Sequence, residues 1–271
     1  PSTLYRTGSV GKTLTDLAVL IGAEEGRLDL DIDVRAYVPE FQPQNPFGEP
    51  ITLRHLVMHT SGLVREPPIG NYFDASSPTL NAIVRSLSGT RLLWKPGSRT
   101  KYSNAGLAVV GRALENAYGR PYRDLMESLF ELAGMRSAAV GRAGLDSTRI
   151  ARGLMERPDG TTWPAPTFDL GMAPAGDLYA SIRDMGSLMA TLLALDGRLA
   201  GPATVKSMWT PSPPRDDWRL EVGFGFSLNG RFADQYRMAR NGGAVYGFAT
   251  ELALLPELSL IHISEPTRLR R

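Results

Sequence analysis

Apolar residues near the start of the chain recur at helical spacing. Val10, Leu14, Leu17, Ala18 and Ile21 share one face, and Val19 and Leu20 widen it until the segment reads as a helix buried on all sides. Glu24-Glu25-Gly26 predicts its C-terminal stop. A second helix is predicted within Ile51–Leu63, capped by Thr52 and ended at Gly62, and a third from about Ala105 to Tyr118, closed by Gly119 and restarted at Pro121. Further helices are expected over residues 121–134 and 177–195, flanking a loop-rich middle that contains Trp163-Pro164-Ala165-Pro166. The period then changes. Val222–Leu228 and Phe248–Leu255 read as strands, with Asn229-Gly230 offering a hairpin turn. Helices in the middle and an antiparallel sheet gathered at the end make an α+β layout in one continuous domain, without repeats or low-complexity linkers.

Composition narrows the function classes. The chain has 271 residues, 42% hydrophobic and 21% charged, which is ordinary for a globular protein with a substantial core. It has no cysteine, so disulfides, thiol catalysis and cysteine-ligated metals are excluded. No apolar run approaches the roughly 20 residues of a membrane span. The formal charge of +2 resides in residues 258–271, which carry three arginines and one glutamate, so residues 1–257 sum to zero. Nothing in that balance points to nucleic acid.

Three stretches carry candidate chemistry. In Thr7-Gly8-Ser9-Val10-Gly11-Lys12-Thr13 a serine and a lysine stand three residues apart at the mouth of the buried helix, where i and i+3 side chains share a face about 5–6 Å apart. A buried helix has little use for a lysine without a partner or a task. The segment ends in Gly-Lys-Thr, but a phosphate-binding loop needs an earlier glycine where Arg6 stands. A nucleophile elbow needs glycine where Thr7 stands. Ser-x-x-Lys survives, a pattern too short to name a function alone. The second stretch, Tyr102-Ser103-Asn104, lies in a loop just before a helix. The third, Asn241-Gly242-Gly243-Ala244, puts paired glycines at a strand, where another backbone or a ligand can come close. His55 and His59 at i, i+4 lack the intervening acid and third ligand of a zinc site, and read as histidines that hydrogen-bond loop backbone. Asp29 to Glu40 imitates a calcium loop but has Val34 where glycine must turn, so it reads as a solvated acidic loop.

Ser9-Val10-Gly11-Lys12, Tyr102-Ser103-Asn104 and Asn241-Gly242-Gly243, in that order, resemble the three active-site motifs of the serine β-lactamase and penicillin-binding-protein superfamily. The fit is best to its class C β-lactamase-related branch, which also holds esterases and D-amino peptidases. Gly26–Asp31, Leu53–Leu63 and Pro174–Tyr179 are similar to family stretches as well, so the likeness covers residues 1 to about 257. It implies a β-lactamase/transpeptidase-like α+β fold and acyl transfer through a covalent intermediate without a metal or organic cofactor. In that scheme Ser9 is the nucleophile, and Lys12 is its base. Tyr102 relays the proton to the leaving group, while Asn104 positions Lys12 and donates to substrate. The N–H groups of Ser9 and Ala244 form the oxyanion hole, flanked by Asn241, Gly242 and Gly243. Lysine ordinarily titrates near 10.4, so a base at neutrality requires a fall of about 3 units, or about 4 kcal/mol. A helix N-terminus offers at most ~2 kcal/mol, and burial must supply the rest.

The expected partners are small esters, β-lactams or D-amino acid peptides. Retention of Ser9, Lys12, Tyr102 and Asn104 favours an enzyme over the alternative, a non-catalytic module that binds peptidoglycan or protein. Where the family carries lysine or histidine, this chain has Asn241, which favours esterase activity over β-lactam or D-Ala-D-Ala hydrolysis. The resemblance favours the periplasm or the exterior over the cytoplasm, and no signal for oligomeric state is present. The family domain begins earlier, with a helix and two strands expected before Pro1, and a last strand and closing helix expected after Leu258. Residues 258–271 instead resemble a translated transposon-end adaptor from a sequencing library. Leu258–Ile263 is apolar enough to imitate the missing strand, and Pro266 is expected to block its ladder. A sheet incomplete at both ends is expected to make the chain express poorly.

Overall fold

A computed structural model describes residues 2–211 and 222–258, and the backbone course of residues 260–264. Its centre is α1 (Gly11–Glu24), entered through a 3-10 turn over Gly8–Val10. Gly11 to Leu17, Val19 and Leu20 are all buried, so the helix is enclosed as its unbroken apolar composition predicts. It packs against α4 (Asn104–Tyr118), α5 (Tyr122–Ala133) and α7 (Pro202–Ser207). Thr15 on α1 is matched within the core: its Oγ1 lies 2.7 Å from the Tyr122 hydroxyl and donates to the Pro174 carbonyl at 2.8 Å.

The predicted helix of residues 105–118 is α4, capped by Ser103, whose hydroxyl accepts from the Gly106 N–H, and closed by Gly119 in the left-handed conformation. Its small residues admit a close neighbour, because a Cβ on Gly111 would strike the ring of Pro174. The remaining helices differ from expectation in instructive ways. Thr52 caps α2 (Leu53–Val57) as predicted, but that helix stops five residues short of Gly62 because His59 takes a left-handed φ of 55°. Only Ile182–Ala194 of the segment 177–195 is helical (α6), started by a Ser181–Asp184 capping box. Leu178–Ala180 is a strand instead. Between α2 and α4 lies α3 (Leu80–Ser86), capped by Thr79.

Two sheets flank these helices. β1 (Tyr5–Arg6), β2 (Ala139–Val140) and β5 (Leu178–Ala180) form a small antiparallel sheet in the order β1-β5-β2. The hairpin of β3 (Leu154–Glu156) and β4 (Thr162–Pro164) stands apart from it. The second sheet runs β10-β9-β8-β7-β6, built from β6 (Val222–Gly223), β7 (Phe226–Phe232), β8 (Tyr236–Val245), β9 (Phe248–Leu255) and β10 (Leu260–Ser264). Val222–Leu228 is therefore two strands broken at Phe224-Gly225. The Asn229-Gly230 turn is corrected too: these residues lie inside β7, where the register shifts, and the chain reverses at Ala233-Asp234, both at left-handed φ. Residues 260–264 pair with β9 as an antiparallel strand, whereas Pro266 and the arginine-rich finish lie outside the described residues.

The small sheet is tied together next to the serine. Arg6 and Asp177, both 2% exposed, form an ion pair at 3.3 Å, and Arg6 also donates to the Phe168 carbonyl. The Thr7 N–H continues the ladder to the Leu178 carbonyl at 2.9 Å. Removing one partner of a buried pair strands the other charge, at a cost of about 3–5 kcal/mol. Asp177→Ala should lower the unfolding free energy by that amount, read from the urea midpoint at neutral pH. A loss below about 1 kcal/mol, the size of an exposed pair, would contradict the account.

Candidate active site

The turn Gly8–Val10 presents Ser9, half-buried, between three approaching backbones. Gly8 has a left-handed φ of 55°, and a Cβ there would lie 2.9 Å from the Ala244 nitrogen. Gly176, at φ 151°, faces the other side, where a Cβ would lie 2.8 Å from the Gly8 carbonyl carbon and 3.1 Å from the Ser9 nitrogen. A Cβ on Gly243 would collide with the Thr7 carbonyl and the Thr250 hydroxyl. Glycine at all three positions lets the Ser9 peptide lie directly against the edge of β8. β8 pairs with β9 from Ala239 through Val245, while its described pairing with β7 ends at Arg240. Asn241–Val245 is thus open on its second side, and alternate N–H groups of that stretch point away from β9. Ala244 is exposed on that edge, next to Gly8.

Lys12 and Tyr102 converge on the Ser9 hydroxyl. Lys12 Nζ lies 3.1 Å from Ser9 Oγ, and the Tyr102 hydroxyl donates to the same oxygen at 2.6 Å. Lys12 is 3% exposed, and its ammonium also donates to the Ala175 carbonyl. Burial pushes Lys12 down to about 7, while Asp16 and Glu66 pull it back up and Arg65 adds to the fall. Burial raises Tyr102 well above the usual phenol range, so the phenol keeps its proton and donates it into Ser9 Oγ. His59 packs on the Tyr102 ring at 4.5 Å, pushed down to about 3 by burial and by Lys12. It stays neutral and accepts from the Ser103 N–H through Nδ1, while His55 Nδ1 accepts from the Thr52 N–H.

The other expected residues are placed differently. Asn104 is fully buried at the start of α4, but its amide donates to Glu66 Oε1 at 2.8 Å instead of holding Lys12, and its Oδ1 has no partner. The physical reason is Glu66, whose carboxylate on the 60–79 loop lies within reach of the Asn104 amide and takes its N–H in a charge-assisted hydrogen bond. Asn241 spends its amide on Thr13 Oγ1 at 2.8 Å and the Ser9 carbonyl at 3.3 Å. Its neighbour Arg240 is bound to Glu251 at 2.8 Å. Gly242 is exposed and Gly243 buried along the same edge. Beside Lys12 opens a cavity of about 250 Å³ between α1, the turn after α2 and the β6–β8 strands, lined by Met58, Tyr102, Phe226 and Asn241 among others.

Sequence reasoning missed three residues around this site. Asp16 is buried one turn beyond Lys12 on α1, and its i+4 spacing was a readable signal. Glu66 and Tyr72 arrive from the 60–79 loop, where no period or motif marks them. Tyr72 is held by the Tyr246 hydroxyl, which donates to its carbonyl at 2.6 Å, and its own hydroxyl faces Ser9.

Comparison with known proteins identifies the family and the fold. A family model described as Beta-lactamase matches residues 1–263. Beta-lactamase-like protein 2 of Dictyostelium discoideum is 29% identical over 263 residues, which cover 94% of this chain and 48% of that protein. The chain thus spans about half the length of that relative. The octameric penicillin-binding protein homologue from Pyrococcus abyssi is 25% identical, with a TM-score of 0.80 over 94% of this chain and 60% of the other. EstCE1, a hydrolase with promiscuous acyltransferase activity, shares the fold at a TM-score of 0.81 and 23% identity, over 96% of this chain and 79% of its own. The α+β architecture is the β-lactamase/transpeptidase-like fold.

The close approach of Gly176 to the Ser9 peptide yields a direct test. Gly176→Ala should displace that peptide and reduce covalent labelling by a fluorophosphonate about 100-fold, the scale of a 1 Å misplacement at a reacting centre. Labelling at the wild-type rate in a variant of unchanged thermal midpoint would refute the geometry.

Proposed function

The chain belongs to the Beta-lactamase family, a family of serine hydrolases, and from that premise we propose that it hydrolyses esters or amides through an acyl-enzyme on Ser9, with neutral esters preferred. The observation that carries this reading is the placement of Ser9 Oγ between Lys12 Nζ and the Tyr102 hydroxyl, with burial bringing the lysine down to about 7. With its ammonium proton lost, Lys12 keeps an N–H for the Ala175 carbonyl and directs its lone pair at the Ser9 hydroxyl. As Ser9 Oγ attacks the substrate carbonyl, Lys12 takes the hydroxyl proton, and the Ser9 and Ala244 N–H groups receive the oxyanion. Collapse expels the alcohol or amine, protonated through Tyr102, which recovers its proton from Lys12. Water activated by the same pair then releases the acid. A module that only binds has no need of a buried lysine poised to lose its proton.

Preference for neutral substrates follows from Asn241. A cation at that position could hold a substrate carboxylate, and a hydrogen bond to a charged group is worth about 1.5–3 kcal/mol, or roughly one to two orders of magnitude. The Asn241 amide carries no charge and is engaged by Thr13, while Arg240 is neutralised by Glu251.

Two outcomes test the reading. Ser9→Ala should abolish ester turnover and fluorophosphonate labelling, and Lys12→Ala should reduce turnover by about 10³-fold or more. Because the free amine is the working form, wild-type kcat/KM should rise with pH through about 7 and then level off. Labelling that persists in Ser9→Ala, or a flat profile between pH 5 and 9, would defeat it. Separately, the wild type should favour p-nitrophenyl esters over a chromogenic cephalosporin, and Asn241→His should shift the ratio of kcat/KM values toward the cephalosporin by roughly tenfold. A wild type that already prefers the cephalosporin would refute the argument from Asn241.

A further inference from the structure

Asp16 is the buried acid that the proposed mechanism does not use. It is 2% exposed, stands one helical turn beyond Lys12 on α1, and lines the same cavity as Lys12, Tyr102 and Asn241. Positions i and i+4 share a helix face, so the carboxyl and the ammonium look into one space. The Gly225 backbone N–H faces the carboxyl, and Asp16 Oδ1 has no hydrogen-bond partner. Gly225 itself is drawn in tightly, since a Cβ there would lie 2.7 Å from Thr13 Cα. A buried carboxylate half without partners is expensive unless a charge stands near it.

We propose that Asp16 is a positioning residue for Lys12, its carboxylate orienting the ammonium within the cavity wall and setting how tightly that group holds its proton. The inference rests on the reading of Lys12 as base for its catalytic meaning, while its electrostatic content stands on the α1 geometry. Several groups face this pair from neighbouring elements. His59 is neutral, Arg65 and Glu66 are paired with each other at 3.2 Å, and the phenols of Tyr102 and Tyr122 stay protonated. Arg240 is held by Glu251. Asp16 is thus the acid nearest to Lys12 along its own helix and has the largest upward pull on the lysine, while burial pushes the Asp16 carboxyl itself well above the usual carboxylate range and the Lys12 charge and the Gly225 N–H draw it back down. Two such groups titrate as a pair, so a change at Asp16 is read at Lys12.

The test compares wild type, Asp16→Asn and Asp16→Ala. With lysine carrying 13C at Cε, the chain gives one signal from each of four lysines, at positions 12, 95, 101 and 206, and the Lys12 signal is assigned by its loss in Lys12→Ala. Its titration midpoint should fall by about one pH unit in Asp16→Asn, because the ammonium loses the charge that raises it most. The acid limb of kcat/KM should move down by the same amount, so that below the limb the variant's activity relative to its own plateau exceeds that of wild type up to tenfold. A purely structural role would lower the plateau and leave the midpoint in place. A Lys12 midpoint within about 0.2 unit of wild type in Asp16→Asn overturns the proposal, and Asp16→Ala is read the same way if the asparagine variant does not fold. Absence of any ester hydrolysis in a folded wild type would refute the proposed function and leave the Lys12 titration still able to decide this inference.

Discussion

Keeping a lysine dry at the start of the central helix is the constraint to which the rest of this structure answers. An ammonium taken out of water costs several kcal/mol, and the protein meets that cost partly by letting the proton go. The arrangement that keeps water out reaches far from Lys12. Ala175, which receives the lysine N–H, sits in a turn pressed onto α4 because Gly111 leaves room for the Pro174 ring. The same turn runs on through Gly176 to Asp177, where the buried Arg6 anchors it to the strand that delivers Ser9. The helix–helix packing of the core, the small sheet and the candidate nucleophile therefore share one mechanical chain.

The second requirement is the close approach of backbone to backbone. Gly8, Gly176 and Gly243 each stand where a methyl group would strike main-chain atoms, so the Ser9 peptide is held by close contact on both sides in addition to the hydrogen bond its carbonyl accepts from Asn241. Such a site needs little reorganisation when charge develops on a substrate oxygen, which is what makes fixed N–H donors effective. The unpaired edge of β8 serves the same end, since a strand already committed to β7 would have no N–H groups to offer.

How much of this was legible depends on length and period. Helices of twelve or more residues, such as α4 and α5, were readable because apolar spacing, caps and terminal glycines agreed. β1, β2 and β5, at two or three residues each, are too short to show a period, and tertiary packing decided them. Asn229-Gly230 was a strong local turn signal, yet β7 ran through it and the reversal fell on Ala233-Asp234, because pairing with β8 and β6 outweighed local preference. Of the site, Ser9, Lys12 and Tyr102 were legible from spacing and resemblance. Asn104 was misassigned because its partner Glu66 comes from a loop whose path no residue pattern announces.

Asn241 shows how selectivity and architecture meet in one side chain. Its amide bridges Thr13 on α1 and the Ser9 carbonyl, so it braces the start of the helix against β8. A lysine or histidine there would place a positive charge beside the cavity that holds Lys12 and Asp16, and a positive neighbour depresses a lysine further. The neutral asparagine removes that term. Its own chemistry thus couples two properties that look separate: it forgoes attraction for a substrate carboxylate, and it leaves the proton balance of Lys12 to burial and to Asp16.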